Sequence, residues 1–513
     1  MTVEPHAEWR PRHSPWLVAF SVLLATFMEV LDTSVANVSL SHIAGSLSAS
    51  IDEATWVLTS YLVANAIILP MAGWLSAFFG RKRYLAFSVV VFVLASAACG
   101  AAQTLPQLII ARVIQGLGGG GLQPLAQAVL LESFPKERRG VAMAMYGLGI
   151  VFAPIIGPTL GGWLTDSYSW RWIFFINIPI GAVGLLLQQL FLEDPPYIKA
   201  GRAKKIDFFG FALIIVGIGL LQIVLDKGQE EDWFSSTWIC WSLGISLVSL
   251  AVLVFWELQV REPLINLRLL KNLNFSLGIC LITVLGAILY GTIALLPIYM
   301  QNLLDYPALA TGIAMSPRGV GAFLGTFLIG RMIAKSDPRR FLALGFGIVA
   351  VTCWMFTHLS LETSQEQIIV PLILNGVGMS FIFAPLATVS VATLRQEELW
   401  QATGMYNLVR NIGGSLGISL LVTYLARNSQ TNQSRLTSQL TPYSLNYQEW
   451  LHRAEHFLPP GTSLRVLEGR IYHALVDQAY LIAFNNSFRW LAIGALLCVP
   501  LAFFFAHPHR KKG

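Results

Sequence analysis

Residues 27–37 read Phe27-Met28-Glu29-Val30-Leu31-Asp32-Thr33-Ser34-Val35-Ala36-Asn37. They lie inside an apolar run from about Trp16 to Leu40, long enough to cross a bilayer. Two carboxylates therefore sit at membrane depth, where a charge that is neither paired nor hydrated is strongly disfavoured and marks function. Glu29, Asp32, Thr33 and Asn37 follow i, i+3, i+4, i+8 spacing, which puts them on one helical face. A polar stripe on a membrane helix faces other protein or a water-filled cavity, not lipid. The rest of the chain is expected to supply that cavity.

Composition agrees. Of 513 residues, 55% are hydrophobic and 12% charged, about half the charged fraction of a soluble domain. Fourteen apolar runs read as spanning helices, near 16–40, 54–79, 84–103, 107–131, 140–165, 172–192, 207–226, 237–257, 273–301, 309–334, 340–359, 367–394, 402–426 and 487–507. The fold class is an all-α polytopic membrane protein. The first run is too long for a signal peptide and has no small-residue cleavage site, so it is read as retained.

The net charge of +6 does not point to nucleic acid. Basic residues gather in alternate connections: Arg81 to Arg83; Lys136, Arg138 and Arg139; Lys199, Arg202, Lys204 and Lys205; Arg261, Arg268 and Lys271; Lys335, Arg339 and Arg340; and the tail Arg510 to Lys512. The opposite connections carry chiefly Arg171 and Lys227. This asymmetry predicts both termini in the cytoplasm. The connection 427–486 is long, polar and placed outside, with short helices foreseen around 453–455 and 463–480. The five cysteines fall in apolar runs without metal spacing and read as small buried hydrophobes. A phosphate-binding loop and an intramembrane His cluster are both missing, so no enzyme, cofactor, metal or ATP drive is expected.

The chain repeats itself. Gln115-Gly116-Leu117-Gly118 matches Asn375-Gly376-Val377-Gly378, and Met145-Tyr146 with Gly157 matches Met405-Tyr406 with Gly417, all at an offset of 260. Gly73 with Arg83-Tyr84-Leu85-Ala86 matches Gly330 with Arg340-Phe341-Leu342-Ala343 at 257. Two six-helix halves with two inserted helices follow, an architecture that places substrate between the halves. The expected division is a tail 1–15, a first bundle 16–192, a linker 193–206, inserted helices 207–257, a second bundle 258–507 that includes the loop 427–486, and a tail 508–513.

The halves differ in chemistry. Arg112 corresponds to Leu372, and Pro158 with Gly161-Gly162 has no counterpart after Gly417. Counted from the outer ends of their helices, Arg112 lies roughly 8 Å deep and Asp32 roughly 12 Å deep at 1.5 Å per residue, so the two can touch. The pair reads either as a static buried ion pair or as a protonation switch in which the carboxylate exchanges Arg for a proton. Gln115, Gly119, Gln123 and Gln127 continue the Arg112 face, as a cavity lining or as close packing. The stretch Gly147 to Gly162 reads as a closely packed, bendable helix. Arg318, Asn375, Tyr406, Arg410 and Asn411 supply polar groups from the second half. A central pocket with Arg112, Arg318 and Arg410 against Asp32 and Glu29 leans positive and favours anionic or weakly acidic amphipaths. Arg410 has a bland alternative in snorkelling or carbonyl pairing.

These residues resemble the major facilitator superfamily, in its fourteen-helix drug:proton antiporter branch of EmrB type. Leu31 to Val38 resembles that branch's first-helix motif. Arg112-Val113-Ile114-Gln115-Gly116 resembles the fourth-helix motif, whose Arg is implicated in proton coupling. Gly157-Pro158-Thr159-Leu160-Gly161-Gly162 resembles the fifth-helix antiporter motif. Trp170 to Pro179 and Leu225 to Phe234 look typical of the branch. The loop Gly73 to Arg83 keeps Gly73, Gly80, Arg81 and Lys82, but Ala77 and Phe78 replace the family's Asp and Arg, so the cytoplasmic gate is expected to be held differently. Ser41 and Ala153 also depart from the family pattern.

The resemblance implies a proton-coupled multidrug exporter in a bacterial inner membrane, working by alternating access. Small-molecule drugs and protons are its ligands. A periplasmic adaptor of membrane-fusion type and a TolC-like outer-membrane channel are the implied partners. The alternative is a proton-coupled importer of a small organic solute, against which the helix 5 Gly-Pro motif argues; a membrane enzyme or sensor would need a reactive cluster or output domain. Asp32 and Arg112 are expected to couple to protons and Glu29 to contact substrate or a second proton. Thr33, Asn37, Gln115, Gln123, Arg318, Asn375, Tyr406, Arg410 and Asn411 are expected to line the cavity.

Overall fold

The computed structural model describes residues 12–135, 138–194, 207–260, 263–333, 336–395, 398–439 and 464–505, with residues 443, 445, 447–449 and 452 between the last two. The architecture is all-helical. Its spanning helices are α1 (Pro15–Val38), α2 (Glu53–Phe79), α3 (Arg81–Ala101), α4 (Leu105–Gly119 and Leu122–Ser133), α5 (Arg139–Ser167), α6 (Trp172–Phe191), α7 (Phe208–Lys227) and α8 (Thr237–Gln259). They continue as α9 (Leu273–Asn302), α10 (Leu309–Met332), α11 (Pro338–Phe356), α12 (Gln365–Val391), α13 (Leu399–Gln439) and α14 (Leu464–Leu501). Among the described residues, 13 helices are individually long and apolar enough to cross a membrane. The interrupted α4 makes the fourteenth.

Local chemistry sets the ends. A reciprocal capping box opens α2, with Ser50 Oγ accepting from the Glu53 N–H and Glu53 Oε2 accepting from the Ser50 N–H. Gly80 adopts φ 88°, which glycine alone reaches without strain, and this reverses the chain between α2 and α3. The break in α4 falls at Gly120-Gly121, where a Cβ on Gly120 would stand 2.6 Å from the Asn65 carbonyl.

The repeat is visible in the packing. In the first half α1 packs on α5, α2 and α3 on α4, and α3 on α6; in the second half α9 packs on α13, α10 and α11 on α12, and α11 on α14. Without a hydrophobic drive between helices in lipid, this packing relies on small residues and buried hydrogen bonds. Gly116 against the Tyr61 carbonyl and Gly376 against the Arg318 carbonyl are equivalent contacts in the two halves. Large apolar side chains such as Phe87, Leu94, Phe255 and Leu497 point outward.

The inserted helices pack on each other, and α7 lies along both α2 and α13. Asp226 and Lys227 at its end bond Thr59 and Thr55 of α2. Gln222 exchanges hydrogen bonds of 2.8 and 3.2 Å with Ser415 of α13, and Trp233 Nε1 donates to Thr423 Oγ1 at 2.9 Å. One inserted helix thus grips both halves.

The segment 427–486 differs from the expected loop. The helices α13 and α14 run into it from both sides as a polar hairpin. Gln433 Nε2 donates to Tyr472 Oη at 2.6 Å, and Asn428 Oδ1 accepts from Asn432 and Asn486. The helix expected over 463–480 lies within α14, whereas α13 continues past its apolar run to Gln439, because hydropathy marks where lipid ends and not where a helix ends. Residues 453–463 lie outside the described residues.

Candidate functional site

The α1 stripe divides into two clusters. Asp32, 2% exposed, accepts at Oδ2 from Arg112 Nη1 at 2.6 Å, and at Oδ1 from Gln115 Nε2 at 2.9 Å and Asn177 Nδ2 at 2.7 Å. Arg112, 0% exposed, donates also to Gln115 Oε1 and through Nε to the Val57 carbonyl at 3.0 Å. Its guanidinium carbon stands 4.2 Å from the centre of the Tyr61 ring. The expected contact of Asp32 with Arg112 is thus present, enclosed within the first half. A low-dielectric setting makes such a pair sensitive to the loss of either charge.

Glu29 lies one turn away, 3% exposed, in a separate cluster. Its Oε1 accepts from Asn65 Nδ2 at 2.9 Å and Gln123 Nε2 at 3.0 Å, while Oε2 makes no hydrogen bond. Gln123 Oε1 accepts in turn from Arg410 Nη2 on α13. One amide therefore bridges a first-half carboxylate to a second-half guanidinium. Nearby, Asn407 Nδ2 donates to Gln127 Oε1 at 2.6 Å and Tyr146 Oη donates to Asn407 Oδ1 at 3.0 Å, again across the halves. Tyr146, Tyr290 and Tyr406 surround Arg410. Its Nε and Nη1, and the Tyr406 hydroxyl, make no hydrogen bond. Asn411 Oδ1 accepts from Arg410 Nη2 at 3.3 Å.

Other expected members lie elsewhere. Thr33 is half-buried and bonds the Glu29 carbonyl, whereas Asn37 is exposed and joins neither cluster. The foreseen central pocket with three arginines is not formed. Arg112 is enclosed in the first half and Arg318 in the second, where Nη2 donates to Thr292 Oγ1 at 3.1 Å. Asn375 donates to Thr352 Oγ1 at 3.0 Å in that same half. Position along a helix gives depth but not azimuth, so equal depth did not imply a shared pocket. Arg410 alone of the three stands at the junction.

The conformational motifs have clear partners. Pro158 has no N–H for the Pro154 carbonyl, and Ser34 Oγ donates to that carbonyl at 3.2 Å. Gly157 faces Ser34 and Gly161 faces Val35, so α1 and α5 approach backbone to backbone, while nothing lies within 4 Å of a Cβ on Gly162. Gly73 abuts the Trp400 ring of α13, and Gly140 faces Ile333 just past the end of α10. Arg81 holds Glu132 in a two-pronged buried ion pair, Nη1 to Oε2 at 2.7 Å and Nη2 to Oε1 at 3.0 Å. This pair ties the start of α3 to the end of α4 where Ala77 and Phe78 offer no charge. Lys82 Nζ donates to the Gln189 carbonyl at 2.7 Å.

Sequence reasoning did not single out Tyr61, Asn65, Asn177 or Glu132 as site residues. The first three are uncharged polar groups in apolar runs, a weaker signal than charge. Glu132 falls one residue past the predicted end of its span and so read as loop.

Residues 22–418 match the family model for the Major Facilitator Superfamily. The chain is 36% identical over 494 residues to the multidrug export protein EmrB of Haemophilus influenzae, covering 96% of each. It is 35% identical over 498 residues to the fatty acid resistance protein FarB of Neisseria gonorrhoeae, covering 97% of each. The crystal structure of the human organic anion transporter MFSD10 (TETRAN) superposes with a TM-score of 0.59 at 12% identity, covering 94% of this chain and 100% of that one, which speaks to the fold alone.

Proposed function

The chain belongs to the Major Facilitator Superfamily and, within it, to the EmrB-type multidrug export proteins, and on that premise we propose that it exports hydrophobic and weakly acidic amphipaths in exchange for protons. The observation that carries this reading is the Asp32–Arg112 pair, buried in one half, with Thr292 and Leu372 at the repeat positions of the other. The second half has no carboxylate at the matching position, which favours the first-half pair as the coupling centre.

The basic connections place the end bearing Arg81, Lys82, Arg83 and Arg139 in the cytoplasm, with both termini on that side of a bacterial inner membrane. The halves touch at that end through Gly73 with Trp400 and Gly140 with Ile333. A proton arriving from outside neutralises Asp32 and releases Arg112. The movement passes from α4 to α13 through Gln123 with Arg410 and Gln127 with Asn407. The bundles 16–192 and 258–507 then rock as units, the proton leaves to the cytoplasm and drug enters from it. A proton shifts this equilibrium only through its different affinity for the two states.

Arg410 supplies the substrate preference. Two of its nitrogens and the Tyr406 hydroxyl are unclaimed donors at the junction of the halves, suited to an acidic head group. Glu29 Oε2 offers an acceptor or a second proton site beside them. The hairpin of α13 and α14 projects on the outer side and is the surface for a periplasmic adaptor leading to an outer-membrane channel.

The test is growth of an efflux-deficient host expressing the chain against weak acids, uncouplers, fatty acids and lipophilic cations. Protection against the acidic compounds is expected. Protection against cations alone contradicts the substrate class, and counterflow directed inward contradicts export.

A further inference from the structure

The two halves carry the same cage with different occupants. In the first half Asp32, Tyr61, Arg112 and Gln115 meet among α1, α2 and α4. At offsets of 260, 257, 260 and 260 the second half places Thr292, Arg318, Leu372 and Asn375. The cation has moved from the fourth helix to the second, and the acid has become a hydroxyl. A guanidinium thus occupies both cages, and only one has a carboxylate.

Arg318 is 0% exposed. Its Nη2 donates to Thr292 Oγ1, while Nε and Nη1 make no hydrogen bond. Among the described residues no carboxylate lies within ion-pair distance of it. The nearby hydroxyls are committed: Thr292 donates to the Leu289 carbonyl and Thr352 to the Val349 carbonyl, both at 2.9 Å. A guanidinium does not shed its proton in a protein, and an isolated buried charge is among the costliest groups a fold can hold. The positive charge calls for a negative one that the described residues do not provide.

We propose that Arg318 holds a small monovalent anion of halide type, bound between its Nε and Nη1 and the Asn375 side chain. Asn375 Nδ2 carries two N–H groups and gives one to Thr352 Oγ1, which leaves the other for the ion. Gly376 packs on the Arg318 carbonyl and Gly321 on the Ile373 carbonyl, so the two helices that carry Arg318 and Asn375 run close together. The bound anion is the second half's equivalent of Asp32, borrowed from solution. Such a site depends on neither the direction of transport nor the identity of the drug.

The test uses the purified full-length protein in chloride, bromide and gluconate at equal ionic strength. A ligand that binds only the folded state raises its stability in proportion to ln(1 + [L]/Kd). Chloride and bromide are expected to raise Tm by a few degrees in a saturable way, and gluconate is not. Thr292→Asp supplies a fixed carboxylate beside Arg318, so its Tm in gluconate should match the chloride-loaded protein and its halide response should vanish. Anomalous diffraction from bromide-soaked crystals should place the ion against the Arg318 guanidinium. Equal Tm in all three salts overturns the site, as does a halide response unchanged in Thr292→Asp. Should that variant fail to fold, bromide lodged anywhere but at Arg318 overturns it equally.

Discussion

Asp32 accepts hydrogen bonds from three side chains and Glu29 from two, and only Asp32 touches a cation directly. The two acids therefore answer differently to substitution. Glu29→Gln keeps an acceptor for Asn65 or Gln123 and leaves the Asp32–Arg112 pair intact. It is expected to leave pH-gradient-driven efflux in place while raising the KM for drug by about tenfold, the scale of one hydrogen bond to a charged group. At the other end of the bundle, Glu132→Gln removes the negative half of a buried pair and should lower stability by about 3–5 kcal/mol. The Arg81→Met, Glu132→Leu double variant should recover most of that, measured by chemical or thermal unfolding in detergent. Charge was legible in the sequence at Asp32, Arg112 and Arg410, because a charge in an apolar run is costly and needs a partner or water. Asn65 and Asn177 were not, because an amide in such a run is compatible with lipid depth, helix packing or a site.

Among the elements, α5 shows how backbone chemistry builds a contact. Pro158 orphans the Pro154 carbonyl, Gly157 clears the way, and Ser34 fills the gap. A side chain at residue 157 has no room beside Ser34. Gly157→Val should push α1 from α5 and lower stability by about 1–3 kcal/mol, as overpacking does, with loss of drug resistance at normal expression. The inserted α7 makes a second prediction. Gln222 and Ser415 bond across the boundary between insert and second half. Cysteines at both positions, in a background lacking the five native ones, should form a disulfide that stops transport until reduced. Rapid transport by the cross-linked protein would show that α7 rides with α13 and does not restrain it. That α7 grips both halves was not readable from sequence, where two extra apolar runs show only that they span.

For the whole molecule, the repeat offset and the basic connections foretold the fourteen-helix plan and its two alike halves. The helix expected over 463–480 is present within α14, but the continuation of α13 to Gln439 was not foretold, since hydropathy reports solvent and not backbone. Nor did the sequence separate Arg318 from Arg410, since that depends on which way each helix face turns. The proposed orientation has a direct check: Tyr443, fully exposed near the hairpin tip, replaced by Cys should react with a membrane-impermeant maleimide added outside. Labelling only after the membrane is opened would invert the topology. Asp32, held by Arg112, is proposed to couple protons to export. This coupling is tested most directly in inside-out vesicles, by imposing a pH gradient and following drug uptake in wild type and Asp32→Asn. The account predicts gradient-driven uptake in wild type and none in Asp32→Asn, with drug binding retained; gradient-driven uptake by Asp32→Asn at the wild-type rate would contradict it.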